Sequence, residues 1–564
     1  MSTLIHHIRN SVIGDKRSIQ TPFGQKPLVY ADYTASGRSL GFIEDYIREQ
    51  VLPFYANTHT ETSFTGAQTS AYREQARQQI RSALNGREED QVIFCGPGAT
   101  AAINKLLDIL NLRLPKDLSQ RYELESRIPS EERPVVFIGP YEHHSNELPW
   151  RESIADVVSI PLNASGQIDL EVLEEQLCTY ATRPLLIGSF SAASNVTGIK
   201  SDVPAVTAVL KSHNALAFWD YAAAAPYVSI DMNGATPLDA VFISPHKFIG
   251  GPGTPGLLVV KKSILNNSVP AVVGGGTVVY VTPEGHRFIE DHERREEGGT
   301  PAIVESIRAG LVFKLQQEVG TDEIERRETD FAQRAVARFK ACPNLEIMGN
   351  PDAERLSIMS LRFKHGAKDL HYGFVASLLN DLFGIQVRGG CSCAGPYGHS
   401  LLGMDMDYSR AIESEIEQGA MVLRPGWVRL NFNYFIADEE FEYLVRAIEL
   451  VARYGWRLLP FYHFDTTAAI WRFQGQHSAT IKSLETLQFV DYCERTQASK
   501  QATVGLAGHC DQAERELRMD NRAGEMSVLE LREESERLRW FVLPQELSAE
   551  LKAQTHTGCQ AMLN

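Results

Sequence analysis

Ala240-Val241-Phe242-Ile243-Ser244-Pro245-His246-Lys247-Phe248-Ile249-Gly250-Gly251-Pro252-Gly253 carries the decisive fold signal in this chain. A short, continuously apolar run ends in a serine, a lysine and a glycine-rich turn. Runs of that kind belong to strands buried on both faces of a sheet. Working outward, similar runs recur at Gln91–Cys95, Val135–Gly139, Val157–Pro161, Leu185–Phe190, Ala215–Trp219 and Leu257–Val260. Between them lie amphipathic stretches such as Leu170–Leu177 and Val203–Leu210, with apolar residues three and four apart. The alternation predicts an α/β domain with a mainly parallel sheet, whose ligands sit beyond the carboxyl ends of the strands. The chemistry should therefore lie just after the runs.

Further along, strand patterns at Leu356–Phe363, Ile385–Arg388 and Trp427–Asn433 combine with helical patterns at Leu370–Leu382 and Glu439–Val451. They predict a smaller α+β domain. The polar, Pro-bounded stretch Lys116–Arg133 reads as a surface insertion. Beyond residue 456 the character changes: Trp456–Phe473 is rich in aromatics, and Gln512–Arg539 has dense alternating charge with leucines at helical spacing. That pattern predicts a solvated helical extension in preference to a partner-binding module. The expected organisation is an N-terminal arm over 1–30, a large domain over 31–335, a small domain over 336–455 and an extension over 456–564.

Composition narrows the class of function. At 564 residues the soft expectation is about three or four domains. The formal charge of −16 argues against broad binding to nucleic-acid phosphates, which needs a basic face. Eight irregularly spaced cysteines make no disulfide framework and point to a reducing cytoplasm. The start, Met1-Ser2-Thr3-Leu4-Ile5-His6-His7, lacks the features of a signal peptide. No run of about 18 apolar residues is present, so no membrane span is expected.

Several segments carry chemistry. Lys247 at a strand end, before glycines that admit close backbone approach, suits a Schiff base to pyridoxal phosphate, although a surface lysine before a turn would look the same locally. Asp220, in Phe218-Trp219-Asp220, ends another apolar run. A carboxylate there can pair with a protonated pyridine nitrogen, or merely cap a helix. Gly96-Pro97-Gly98-Ala99-Thr100 opens a helix after a strand, and its N–H groups with the Thr100 hydroxyl make a phosphate cradle.

The order of the parts is more specific than any one of them. After that turn come Glu142-His143-His144-Ser145-Asn146, Ser194-Asn195-Val196-Thr197-Gly198, Asp220, His246-Lys247, Gly298-Gly299-Thr300-Pro301, a cysteine-bearing loop and Arg429. From Tyr30-Ala31-Asp32-Tyr33-Thr34-Ala35-Ser36 to about residue 455 the chain resembles the class V aminotransferase group of fold-type-I pyridoxal phosphate enzymes. Within it, the resemblance is strongest to group II cysteine desulfurases and selenocysteine lyases. The resemblance implies that Lys247 holds the cofactor, Asp220 faces the pyridine nitrogen and His143 stacks on the ring. Gly98, Ala99, Thr100, Ser244 and His246 would hold the phosphate, with Thr300 reaching it from the second subunit of a homodimer. Asn195 would lie near both cofactor and substrate. Arg429 would grip the substrate carboxylate with a two-pronged hydrogen bond, and His59 would be a further substrate-side histidine.

In Arg388-Gly389-Gly390-Cys391-Ser392-Cys393-Ala394-Gly395-Pro396, the family's pattern puts the sulfur-accepting nucleophile on Cys393, with Arg388 near the substrate. Thiolates are favoured beside cations, and Arg388 belongs to the same loop. Cys391 is outside the pattern; a sulfur relay, a disulfide with its neighbour and an incidental position all stay open. No second Cys or His pair at ligand spacing points to a metal. One departure stands out: where the family has a glutamine that bonds the cofactor's phenolic oxygen, Asp220-Tyr221-Ala222-Ala223 has an alanine. The activity implied is desulfuration of cysteine or a related amino acid through a persulfide, leaving alanine, with a sulfur-acceptor protein as a candidate partner. Rival expectations are another class V reaction (β-eliminating C–S lysis, transamination or epimerisation) and a non-catalytic cofactor-binding scaffold. The extension's role is not legible.

Overall fold

The computed structural model describes residues 3–58, 62–474, 483–487, 489, 505–519 and 525–551. Its contacts divide the chain into two compact units. The first comprises residues 1–13, 33–329 and 352–356; the second comprises 14–32, 330–351 and 357–564. The N-terminal stretch is thus shared between units, and the chain beyond 456 clusters with the smaller one.

The first unit is built on seven strands: β1 (Asp90–Phe94), β2 (Val135–Ile138), β3 (Asp156–Ser159), β4 (Leu186–Ser191), β5 (Leu216–Asp220), β6 (Ala240–Ile243) and β7 (Leu257–Lys261). They lie in the order β1-β7-β6-β5-β4-β2-β3. β7 runs antiparallel to both its neighbours and the remaining pairs are parallel. The apolar runs become strands because helices cover both faces: every residue of β2, β4 and β6 is buried. Helix α1 (Phe64–Ala83) packs on α4 (Ile303–Val319). Helices α2 (Gly98–Ile109) and α3 (His144–Arg151) start just beyond the ends of β1 and β2. Because β2, β4, β5 and β6 run parallel, the residues after them gather at the carboxyl edge of the sheet, where an open α/β sheet binds ligands.

In the second unit, β8 (Leu345–Ile347), β9 (Ile358–His365), β10 (Lys368–Leu370), β11 (Arg388–Gly390) and β12 (Trp427–Asn431) form an antiparallel sheet. Its order is β8-β9-β12-β11, with β10 also paired to β9. Helices α5 (Tyr372–Phe383), α6 (Gly395–Leu402) and α7 (Asp438–Tyr454) belong to the same unit. The expected strand over Ile385–Arg388 is two separate pieces. Ile385–Gln386 pairs in parallel with Val29–Tyr30, whereas β11 pairs with β12.

The extension departs from the solvated helix expected of it. Tyr462–Asp465 and Ile470–Phe473 form a hairpin, and helix α8 (Leu506–Arg518) buries His509, Cys510, Ala513 and Leu517 as it packs on α7. Among the described residues, charges that made Gln512–Arg539 look solvated enter ion pairs: Arg446 meets Glu514, and Arg532 meets Glu415, while Asp511 just before the stretch also meets Arg446. Farther on, Val542 N–H donates to Asp369 O, and Asp369 N–H donates to Trp540 O, so the tail adds a short bridge to the sheet's edge.

Candidate active site

The first unit concentrates polar groups beyond its strand ends. Asp220, the last residue of β5, is buried, and its carboxylate accepts the Ala222 N–H at 2.8 Å. Burial raises its pKa, against the pull of that N–H and of the Lys247 charge. His246 is pushed down to about 4 by burial and by the same lysine. The Lys247 ammonium is therefore within electrostatic reach of both groups. It sits in a single helical turn, Pro245–Lys247, directly after β6. The His246 carbonyl accepts the Gly37 N–H at 2.8 Å, which pins that turn.

Opposite lies the start of α2. Ala99 N–H donates to Ser244 Oγ at 2.8 Å. Gly98 has a φ of +57°, and a Cβ there would come within 3.0 Å of both Ser244 Oγ and the His246 ring. A Cβ on Gly256 would meet Gly98 O at 1.9 Å, so neither glycine tolerates a side chain. Pro97, before the helix, provides no side-chain cap, and the first-turn N–H groups present a partial positive charge. The Thr100 and Ser145 hydroxyls are 2.7 Å apart, and His143 Nδ1 lies 2.9 Å from Ser145 Oγ. His143 caps α3 by accepting the Ser145 N–H, which orients its ring.

Behind His143, Glu142 is fully enclosed. Its carboxyl meets Ser191 N–H, Ser191 Oγ and Asn146 Nδ2, yet burial still pushes its pKa up to about 8. A second buried anchor, Glu297, holds the segment that leads to Thr300: Arg77 reaches it at 3.0 Å and Phe94 N–H at 2.7 Å. Thr300 itself is exposed, with Asn57 Nδ2 at 3.4 Å from its hydroxyl. A cavity of about 480 Å³ adjoins it, lined by Thr58, Arg73, Glu297 and Pro301 among others.

The second unit holds the other predicted set. Arg388 of β11 and Arg429 of β12 are direct cross-strand partners. Two like charges in that register repel unless something offsets them. Asp32 does so: its carboxylate takes Arg388 Nε at 3.1 Å and Arg429 at 3.2 Å. Arg429 is 4% exposed, and burial lowers its pKa against the attraction of Asp32. After β11 the loop turns through two left-handed non-glycine residues, Ser392 and Cys393, each at φ 56°. Such residues cost about 1–3 kcal/mol each and persist only when their surroundings enforce them. Here the Trp427 indole N–H holds Ser392 Oγ at 3.2 Å. The result is an exposed Cys393 just before α6, while Cys391 is half-buried.

A family model for class-V aminotransferases matches residues 29–442. The chain belongs to that family. Among curated class-V relatives, a probable cysteine desulfurase of Halalkalibacterium halodurans is 28% identical over 378 residues, 66% of this chain and 85% of that one. One of Staphylococcus aureus is 26% identical over 395 residues, 69% of this chain and 88% of its own. The fold matches a cysteine desulfurase structure from Thermococcus onnurineus with a TM-score of 0.61 at 21% identity, covering 76% of this chain and 95% of the other. A cysteine desulfurase from Escherichia coli gives 0.59 at 21%, covering 76% and 96%. The chain is thus a fold-type-I α/β protein of the cysteine desulfurase kind, and the family match ends at residue 442.

Class-V enzymes depend on pyridoxal phosphate, and the first unit fits that group. A cradle that a single Cβ would fill, an uncapped helix start, Ser244 and Thr100 hydroxyls and a buried aspartate facing a lysine form a matched donor set. Asn195, buried after β4, belongs to the same unit. His59 lies outside the described residues. Ala223, where the resemblance predicts a glutamine, is buried and offers only a methyl group. The sequence did not assign roles to Asp32 or Glu142. Asp32 stood in a quoted motif, but only the pairing of β11 with β12 reveals two arginines needing one carboxylate. Among the described residues no helix is long and apolar enough to cross a membrane.

Proposed function

We propose that the protein is a pyridoxal-phosphate-dependent desulfurase that takes sulfur from L-cysteine or a related amino acid, leaving alanine, and that it works as a homodimer. The observation that carries this reading is Cys393: an exposed thiol on a strained loop, in the unit that holds a buried, carboxylate-oriented Arg429. When bound at Lys247, pyridoxal phosphate supplies an electron sink for bonds around the substrate α-carbon.

The residues of the chain divide the remaining work. With pyridoxal phosphate bound, Asp220 would hold a proton at the pyridine nitrogen, and His143 would cover the ring. Gly98, Ala99, Thr100, Ser244 and His246 take the phosphate. Arg429, steadied by Asp32, binds the substrate carboxylate with two parallel N–H bonds; Arg388 and Asn195 assist. Cys393 Sγ forms a bond to the substrate sulfur as the carbon–sulfur bond breaks. The electron pair stays with the substrate carbon, which takes up a proton and departs in alanine. Cys393 is left as a persulfide for a sulfur-acceptor protein or a small thiol to collect. For the dimer, the supporting feature is the apolar surface of the hairpin Val278–Val281/His286–Phe288 and the preceding loop, where Val272, Val273, Val279, Tyr280 and Val281 are all at least 50% exposed. Solvent-facing clusters of that kind mark interfaces, and Thr300 follows in the chain.

The test is to supply single amino acids while following sulfide, alanine, pyruvate and keto-acid formation, with wild type and Cys393→Ser side by side. Sulfide and alanine from wild type, and neither from Cys393→Ser with its cofactor absorbance intact, is the expected result. Serine near neutral pH is a poor nucleophile without an adjacent base. Pyruvate formation that survives in Cys393→Ser would instead assign a β-eliminating C–S lyase, a reaction that the methyl group of Ala223 leaves open. Light scattering tests the dimer, and a monomer with full cofactor occupancy would overturn it.

A further inference from the structure

The C-terminal extension, which the family match does not reach, touches the cysteine loop through a short chain of rings. Trp540 lies parallel to Tyr372, with ring centroids 6.1 Å apart and planes 6° from coincidence. It also stacks on His371 at 5.2 Å. One side-chain and two backbone hydrogen bonds fix the segment: the Trp540 indole N–H donates to Leu423 O at 2.9 Å, the Trp540 carbonyl accepts Asp369 N–H, and Val542 N–H returns to Asp369 O. Tyr372 begins α5, and its ring lies against Gly389 of β11. A Cβ on Gly389 would be 2.7 Å from Tyr372 Cδ2, so the ring and the strand backbone are in direct contact. Cys391 is within electrostatic reach of the Tyr372 hydroxyl, which burial pushes up to about 12. The other side of the loop is held by Trp427 at Ser392. Trp427 thus holds the segment directly at Ser392, and Trp540 reaches the preceding strand through Tyr372; its left-handed residues need such outside support.

We infer that Trp540, acting through Tyr372, is a positioning residue for the loop that presents Cys393, which makes the C-terminal extension a working part of the active site. The inference rests on Cys393 as the sulfur-accepting nucleophile. Without the Trp540 ring, Tyr372 can move away from Gly389, and the Cys391–Cys393 turn gains conformations that aim the thiol elsewhere. A misplacement of about 1 Å in a reacting atom is enough to slow chemistry severely.

The experiment uses the full-length holoenzyme and reads two things: sulfide release from L-cysteine, and the rate at which iodoacetamide labels Cys393, followed on its peptide by mass spectrometry. Trp540→Leu is expected to lower kcat by about tenfold and to change the labelling rate by about threefold or more, with cofactor absorbance unchanged. Trp540→Phe retains a ring over Tyr372 and should recover most of both. Tyr372→Leu, which leaves the tail's edge bonds alone, should reproduce the Trp540→Leu labelling change. The double variant should show no further change, because both act through one contact. Wild-type labelling and kcat in Trp540→Leu would overturn the inference, as would additive changes in the double variant. Should Trp540→Leu fail to fold, Tyr372→Leu with wild-type labelling would overturn it alone. If wild type releases no sulfide while the variants still show these labelling changes, the desulfurase reading is overturned and the positioning of the cysteine loop by Trp540 stands.

Discussion

Acid should loosen the second unit through His371, and the size of the effect follows from the surroundings of that ring. His371 is 3% exposed. Its Nδ1 accepts N–H groups from Gly373 at 3.0 Å and Trp471 at 3.1 Å, so the proton belongs on Nε2, which faces Val422 O at 3.1 Å. A second proton on Nδ1 would point at two donors. Burial accordingly pushes the pKa down to about 3, with the Val422 carbonyl opposing the shift only in part. The unfolded chain keeps the ordinary value near 6.5 and takes up the proton first. The folded pKa is the lower one, so the neutral ring's contribution is complete above about pH 6.5 and is lost as the pH falls toward about 3. At about 1.36 kcal/mol per unit, this ring alone removes about 1.4 kcal/mol at about pH 5.5 and about 2.7 kcal/mol at about pH 4.5. Urea unfolding followed by tryptophan fluorescence is a direct assay, because Trp471 and Trp540 lie 5.6 and 5.2 Å from the ring. His371→Gln should be less stable at neutral pH but should lose about 2.6 kcal/mol less than wild type on acidification from about pH 7 to about pH 4.5. Other titrating groups are common to both proteins and cancel. Equal acid losses in the two would refute the reasoning.

Lys247→Ala should lose the visible absorbance that wild type gains with pyridoxal phosphate, at unchanged far-ultraviolet circular dichroism. A retained band would place the cofactor lysine elsewhere. Asp32→Asn keeps the shape but removes the charge shared by Arg388 and Arg429. It should raise KM for the amino acid by up to about tenfold, or about 1.4 kcal/mol, with a smaller change in kcat; an unaltered KM would remove Asp32 from substrate orientation. Thr300→Val should weaken cofactor retention by about 1.5–3 kcal/mol, the loss of one hydrogen bond to a charged group, as read by fluorescence titration. Unchanged retention would mean that the exposed Thr300 hydroxyl does not serve a phosphate.

Local sequence determined the candidate site of the first unit. Ala240–Ile243 is apolar throughout because both faces of its strand are covered, and a strand so placed must deliver Ser244, His246 and Lys247 at the sheet's carboxyl edge. The same logic carried Asp220 after β5 and the glycine turn before α2. These features span a few residues each, and their periods and turn chemistry are written in adjacent positions. Tertiary structure alone decided the rest. Asp32 and Arg429 are almost four hundred residues apart, and only the pairing of β11 with β12 sets two arginines side by side and makes one carboxylate necessary. Glu142 gave no sign in sequence that it would be sealed among Ser191 and Asn146, where burial pushes its pKa up to about 8. The extension misled for the same reason: its alternating charges resemble a solvated helix, but ion pairs with Arg446 and Glu415 and the ring stack of Trp540 on Tyr372 come from the partner surface rather than from the segment. Periodicity records which face of a segment is apolar, whereas the groups that meet that face are fixed by long-range packing, which no local pattern encodes.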